Sequence, residues 1–307
     1  MLFASELLMR SKLLVFLLLS LCLCAFAGAK DKKSDNDRDN QVVIAQISDS
    51  HLGLARAPEA SQNLRWVVDQ VNQRHPDAVI VTGDIGERPE AWQEAKEILG
   101  HLNADNILYI PGNHDDTADN VGRWRQFWGS DYGEFHIKWI TIYGLDSQVL
   151  SNFDNYDSHE VQPLSANGRQ EGRKMLDWFA KKIDDQKRGE AAHPEKKTVV
   201  FAMQHVPISR ADGGRFPNDP KPYWAMQEPG RSAELELLHR LGVKDMFVGH
   251  WHIGMNYKAD GINYHVAPAT SWSPFSDKLG FALHTIKRDG SVKTEFVYIP
   301  GANPHKP

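Results

Sequence analysis

Five short motifs carry the residue types that do chemistry: Asp49-Ser50-His51, Gly83-Asp84, Gly112-Asn113-His114-Asp115, Gln204-His205 and Gly249-His250-Trp251-His252. Their side chains are carboxylates, one amide and several imidazoles. Hard oxygen donors mixed with imidazole nitrogen suit divalent or trivalent first-row metals such as Mn, Fe and Zn. In the first and last motifs the i, i+2 spacing places both side chains on one side of an extended segment. Glycines directly before Asp84, Asn113 and His250 permit tight turns. Singly the motifs say little, since an Asp-x-His is ordinarily a surface pair and a Gly-Asp ordinarily a turn or helix cap. Together, in this order, they read as a metal-binding donor set.

Each motif stands at the end of an apolar run, so the elements that must position them are strands. Val42 to Ser48 (VVIAQIS) is largely apolar and β-branched, as in a strand buried on both faces. Leu64, Val67, Val68 and Val71 have helical spacing and predict a helix over 63–74. AVIVTGD is a second buried strand, 91–102 a second helix, and ILYIPGNHD a third strand running into a loop. WITIYGLDS, TVVFAMQH and DMFVGHWH supply further strands. The tail from Phe281 to Ile299 is a hairpin turning at Asp289-Gly290. This alternation predicts an α/β sandwich. Two stretches break the rhythm. Residues 148–197 contain an amphipathic helix over about 168–185, and 206–231 is rich in Pro and Gly without periodicity. Long irregular loops in compact domains are usually functional or disordered. Because 206–231 follows His205 directly, Arg210, Arg215, Tyr223 and Trp224 are candidates for substrate contact.

The ordered set DSH, GD, GNHD, QH and GHWH resembles the calcineurin-like metallophosphoesterases, and the likeness spans Asp49 to His252. It implies a four-layer α/β/β/α sandwich of two mixed sheets flanked by helices. It implies one metal held by Asp49, His51 and His252, a second by Asn113, His205 and His250, and Asp84 bridging both. It assigns His114 to the substrate, with Asp115 orienting it. The activity implied is hydrolysis of a phosphate mono- or diester by a metal-bridging hydroxide, the ions also neutralising charge on the phosphoryl oxygens. No Ser or Cys nucleophile is required. The substrate would be a phosphorylated small molecule, a nucleotide or a phosphoprotein.

Gly83-Asp84-Ile85-Gly86-Glu87-Arg88 and the Asp of GNHD depart from the GDxxDRG and GNHE of the calcineurin-type protein phosphatases. Glu87 stands where purple acid phosphatases place a Tyr. The pattern is similar to cyclic-nucleotide phosphodiesterase-like and CPPED-type members. Gln204-His205-Val206-Pro207 and Phe127-Trp128-Gly129 lean to the latter. The alternatives are a cyclic-nucleotide phosphodiesterase and a catalytically silent binding protein on the same fold. Glu87 reads equally as a helix-start carboxylate or a support for the site. His136, His265 and His284 read as core or surface histidines.

The chain has 307 residues, 41% hydrophobic and 24% charged, with a formal net charge of -5. That suits a globular protein and argues against a nucleic-acid-binding surface. Residues 1–29 have a secretory-signal layout: Arg10 and Lys12, an uncharged run from Leu13, and Ala27-Gly28-Ala29. The expected organisation is a signal over 1–29, a charged tether over 30–40, the phosphoesterase domain over 41–300 and a tail over 301–307. Export to a periplasmic or extracellular space follows, with no membrane span after cleavage. A retained N-terminal anchor is the alternative. Cys22 and Cys24 both lie inside this leader, so the remaining chain has no disulfide and no thiol nucleophile.

Overall fold

The computed structural model describes residues 40–116, 119–211 and 221–304. The leader, most of the charged tether and the last three residues lie outside that range. Gln41–Pro307 is one compact unit.

Among the described residues, eleven strands form two mixed sheets. In the first, the order is β11 (Val292–Tyr298), β10 (Gly280–Lys287), β1 (Gln41–Ile47), β2 (Ala78–Thr82) and β3 (Ile107–Ile110). β1, β2 and β3 are parallel, while β10 and β11 run antiparallel as a hairpin on the β1 side. The second sheet has the order β4 (Gly133–Ile137), β5 (Ile140–Gly144), β6 (Val199–Met203), β7 (Asp245–Val248), β9 (Ile262–Val266) and β8 (Met255–Ala259). Its central strands β5, β6, β7 and β9 are parallel, and the outer pairs are antiparallel.

Strand alternation assigns the layers. Val42 and Ile44 of β1, with Ala78 and Ile80 of β2, meet Ile140, Ile142, Phe201 and Phe247 of the second sheet. The opposite faces of the same strands, Ala45, Ile47, Val79 and Val81, pack on α1 (Ala60–Arg74) and α2 (Pro89–Leu99) through Leu64, Val67, Val71, Ala95 and Ile98. α3 (Val121–Phe127) adds Trp124. On the far side, Tyr143, Ala202 and Met246 pack on α4 (Ala166–Ala192) and α5 (Gly230–Leu241) through Met175, Phe179, Ile183 and Leu238. Three apolar interfaces between four layers make an α/β/β/α sandwich. Because the parallel strands are covered on both faces, their sequences are largely apolar, with Gln46, Thr141 and His265 among the few buried polar residues.

The structure extends the sequence reading in places. α4 is longer than the predicted 168–185, and Ser165 caps it by accepting from the Gly168 N–H at 2.9 Å. β4, β8, β9, α3 and α5 are not assigned from the sequence. β4 is a part-exposed edge strand without a strict apolar face, whereas β8 does alternate, Met255, Tyr257 and Ala259 facing the core, over only five residues. Among the described residues no helix is long and apolar enough to cross a membrane.

Candidate metal centre

All five motifs emerge from the carboxyl ends of parallel strands. Asp49 and His51 follow β1, Asp84 follows β2, and Asn113 and His114 follow β3. His205 follows β6, and His250 and His252 follow β7. Both sheets therefore contribute to one site at the same end of the sandwich, where open α/β sheets place ligands.

The backbone there is not extended, which corrects the i, i+2 reading. Nine described non-glycine residues have positive φ, and five of them are Asp49, His51, Asp84, His250 and His252, with φ between 41° and 68°. Such residues cost roughly 1–3 kcal/mol each and persist only where their surroundings enforce them. The glycines serve a different need at two of the three positions. Gly83 has φ 86°, but Gly112 and Gly249 are there for room. A Cβ on Gly112 would overlap Asp84, and one on Gly249 would overlap Ser48 and Asp49.

Each imidazole has one nitrogen tied outward and one turned inward. His51 Nδ1 meets Glu87 Oε1 at 2.6 Å, and His252 Nδ1 meets the Trp272 carbonyl at 2.8 Å. His205 Nδ1 meets the Thr82 carbonyl at 2.6 Å, and His250 Nε2 meets the Tyr223 carbonyl at 2.9 Å. A carbonyl or ionised carboxylate only accepts, so each outward nitrogen carries a proton, and the inward one offers a lone pair whenever the ring is neutral. Such outer partners are what metal-ligating histidines have. The inward atoms crowd together. His51 Nε2 lies 3.1 Å from His252 Nε2 and 3.4 Å from Asp84 Oδ2. His205 Nε2 is 3.1 Å from Asp84 Oδ2, and His252 Nε2 is 3.1 Å from Asp49 Oδ1.

Of the described buried atoms without a hydrogen-bond partner, two belong to residues of this donor set, His205 Nε2 and Asn113 Oδ1. Asn113 Nδ2 donates to the Tyr223 hydroxyl at 3.0 Å, which leaves its oxygen facing the cluster. Facing lone pairs, buried carboxylates and orphaned acceptors are the donor chemistry that a cation satisfies. Asp49, His51, Asp84 and His252 form one potential metal-holding group. Asp84, His205 and His250 form another, so Asp84 is common to both.

Without a metal, protons balance these charges. Burial alone would raise Asp84, but His205, His114 and His51 hold it well below the usual carboxylate range. Burial opposes the charge on His205, yet Asp84 and Asp49 raise it to about 9. His250 is pushed down to about 3 by burial and by His205. Metal entry must therefore expel a proton from His205.

His114 stands at the open edge, with its side chain 34% exposed. Its N–H donates to Asp84 Oδ1 at 2.9 Å, and its Nδ1 meets Glu87 Oε2 at 2.9 Å. Burial opposes its protonation, but Asp84 and Glu87 raise it to about 9. Glu87 is thus the carboxylate that orients His114, a correction to the role expected of Asp115. The Asp115 side chain is occupied elsewhere. It accepts from the N–H groups of Ile85, Gly86 and Gly112 and from Trp92 Nε1, at 2.9–3.1 Å. It pins the Asp84 loop to the Asn113 loop. Glu87 also holds His51, and its two imidazole partners outweigh burial to lower it to about 2.

The loop candidates divide. Tyr223 touches the cluster through both its hydroxyl and its carbonyl. Trp224 is 3% exposed and packs behind His250, its carbonyl accepting from Trp251 Nε1 at 2.7 Å. It supports the site and has no surface to offer a ligand. Arg210 bonds the Lys221 carbonyl. Arg215 lies outside the described residues. His265 and His284 are core histidines in a separate network with Asp245, Thr294 and Gln46.

A family profile described as calcineurin-like phosphoesterase matches residues 42–254. The chain is 24% identical to the serine/threonine-protein phosphatase CPPED1 of Danio rerio over 280 residues, covering 80% of this chain and 82% of that protein. It is 25% identical to a cAMP/cGMP dual specificity phosphodiesterase of Mycobacterium tuberculosis over 276 residues, covering 84% and 76%. The crystal structure of a dimetal phosphatase from Danio rerio superposes with a TM-score of 0.55 at 15% identity, covering 84% of this chain and 98% of that one.

Proposed function

This chain belongs to the calcineurin-like phosphoesterase family, and from that premise we propose that it is an exported hydrolase of a phosphate mono- or diester. The family's enzymes are dimetal phosphatases and phosphodiesterases. The observation that carries the reading is that Asp84 belongs to both donor groups, with every histidine's free nitrogen turned inward. Asp49, His51 and His252 would hold one ion, Asn113, His205 and His250 the other, and Asp84 both. Mn, Fe and Zn fit these oxygen and imidazole donors. Bound there, the ions supply an activated water and take up charge on the phosphoryl oxygens.

The remaining work falls to the chain. With Nδ1 held by Glu87, His114 presents Nε2 to the open side. From there it can give a proton to the departing oxygen or a hydrogen bond to the phosphoryl group. Asp115 fixes the loops on which Asp84, Asn113 and His114 stand. A complete donor set argues against a silent binding protein. Export rests on the signal-like residues 1–29, with retention as an N-terminal anchor the other outcome.

Parallel assays with p-nitrophenyl phosphate, bis-p-nitrophenyl phosphate and cyclic AMP test the reading. Turnover of a monoester or diester by metal-loaded protein is expected, and none on any of the three would sink it. A cyclic-nucleotide phosphodiesterase is the second reading, favoured by the similarity to the mycobacterial enzyme. A marked preference for cyclic AMP would select it.

A further inference from the structure

A cavity of about 300 Å³ opens beside His114 and is continuous with the site, because Asn113 and His114 line it. Resting on the phosphoesterase reading above, a phosphoryl group on the metal cluster directs its leaving group past His114, since that is where a proton donor to the leaving oxygen must stand. The cavity is therefore placed to receive the leaving group, and its walls state what that group is.

Arg88 and Arg123 contribute the cations of those walls. Both are exposed, and among the described residues neither forms an ion pair with a carboxylate. Arg123 meets only the Asn120 side-chain oxygen at 3.3 Å. Two of the three acids of the same cavity are engaged by internal partners. Glu87 is held between His51 and His114, and Asp115 by backbone N–H groups and the Trp92 indole. Asp116 is 5% exposed at the base. Arg88 and Arg123 thus line the exit beside Glu87 and Asp115, whose carboxylates are turned to internal partners. Guanidinium forks match carboxylate and phosphate oxygens. A volume of about 300 Å³ is at the small end of ligand pockets, enough for a leaving group of a few carbons.

We propose that this cavity is a leaving-group subsite, and that Arg88 and Arg123 select small organic phosphates whose alcohol part carries a second anionic group. The two arginines determine specificity and take no part in the bond-breaking step.

The test compares kcat/KM for 2-phosphoglycerate and glycerol 2-phosphate, which differ by a carboxylate in place of a hydroxymethyl group. p-Nitrophenyl phosphate is assayed in parallel. The wild type should prefer the carboxylate substrate by about three- to tenfold, the size of one or two ion pairs at an exposed site. In the Arg88→Ala/Arg123→Ala double variant that ratio should fall towards one, while Arg88→Lys/Arg123→Lys retains part of it. Melting curves verify that the variants are folded. A wild-type ratio near or below one overturns the subsite, as does a ratio that survives the double substitution. So does turnover of p-nitrophenyl phosphate with neither glycerol derivative hydrolysed, and that result leaves the phosphoesterase reading standing. Inactivity on all three by metal-loaded protein rejects that reading, and the subsite with it.

Discussion

Tyr223→Phe removes a single oxygen from the support of the cluster. The Tyr223 hydroxyl accepts from Asn113 Nδ2 at 3.0 Å, and its backbone carbonyl accepts from His250 Nε2 at 2.9 Å. Phenylalanine keeps the ring and the carbonyl, so His250 stays oriented and only the Asn113 amide loses its partner. Leaving a buried donor unpaired costs about 1–3 kcal/mol. This contact is only part-buried, which places the cost in the lower half, about 1–2 kcal/mol. The amide is then free to rotate and withdraw Oδ1. Affinity should fall roughly 5- to 30-fold at the position shared with His205 and His250. The position shared with Asp49, His51 and His252 should not change. Competition with a chromogenic chelator resolves the two affinities, and the melting temperature of the metal-free protein verifies the fold. Equal weakening at both positions, or at neither, would refute the idea that Tyr223 sets the Asn113 amide.

Further outcomes follow from other residues. Glu234 is fully buried, and burial, opposed only by Gln204, raises its carboxyl to about 8. Its contribution to stability is complete below the unfolded value near 4.5 and is lost as pH rises through about 8, by on the order of 4 kcal/mol. Glu234→Gln should therefore match the wild type at pH 5 and exceed it at pH 8 in urea unfolding with chelator present; parallel stabilities across that range would contradict this. His114→Ala should keep its metals and lose about 10²–10⁴-fold on alkyl phosphates but less on p-nitrophenyl phosphate. Equal losses would assign His114 to charge stabilisation, and loss of metal would make it a ligand. Gly112→Ala puts a methyl against Asp84 and should destabilise by about 1–3 kcal/mol while lowering metal content, read by unfolding and elemental analysis. Unchanged metal content would show that the Asp84 loop yields.

What could be read in the sequence was whatever is local. The buried parallel strands announce themselves because both faces are apolar, and the polar residues that end them sit where such sheets bind ligands. The two donor groups sharing Asp84 draw their residues from four of the five motifs. What escaped was tertiary. Glu87 meets His51 36 positions away and His114 27 positions away, so one carboxylate position carried two readings until the loops were placed. The family resemblance paired Asp115 with His114, but adjacent side chains in a turn diverge, and Asp115 faces backbone N–H groups instead. Tyr223 and Trp224 are neighbours in one irregular loop, and only their packing separates a cluster support from a buried backing. The left-handed backbone of five acid and histidine positions has no sequence signature beyond those residues' tolerance of it.

The central claim is that one carboxylate, Asp84, serves two metal positions. Elemental analysis of purified, metal-loaded protein tests it when wild type, Asp84→Asn and Asp49→Asn are compared at equal free metal. The account predicts two ions per chain in the wild type, weakened retention at both positions in Asp84→Asn, and loss confined to one position in Asp49→Asn. A wild type that never exceeds one ion, or an Asp84→Asn variant that keeps either position at full affinity, would contradict it.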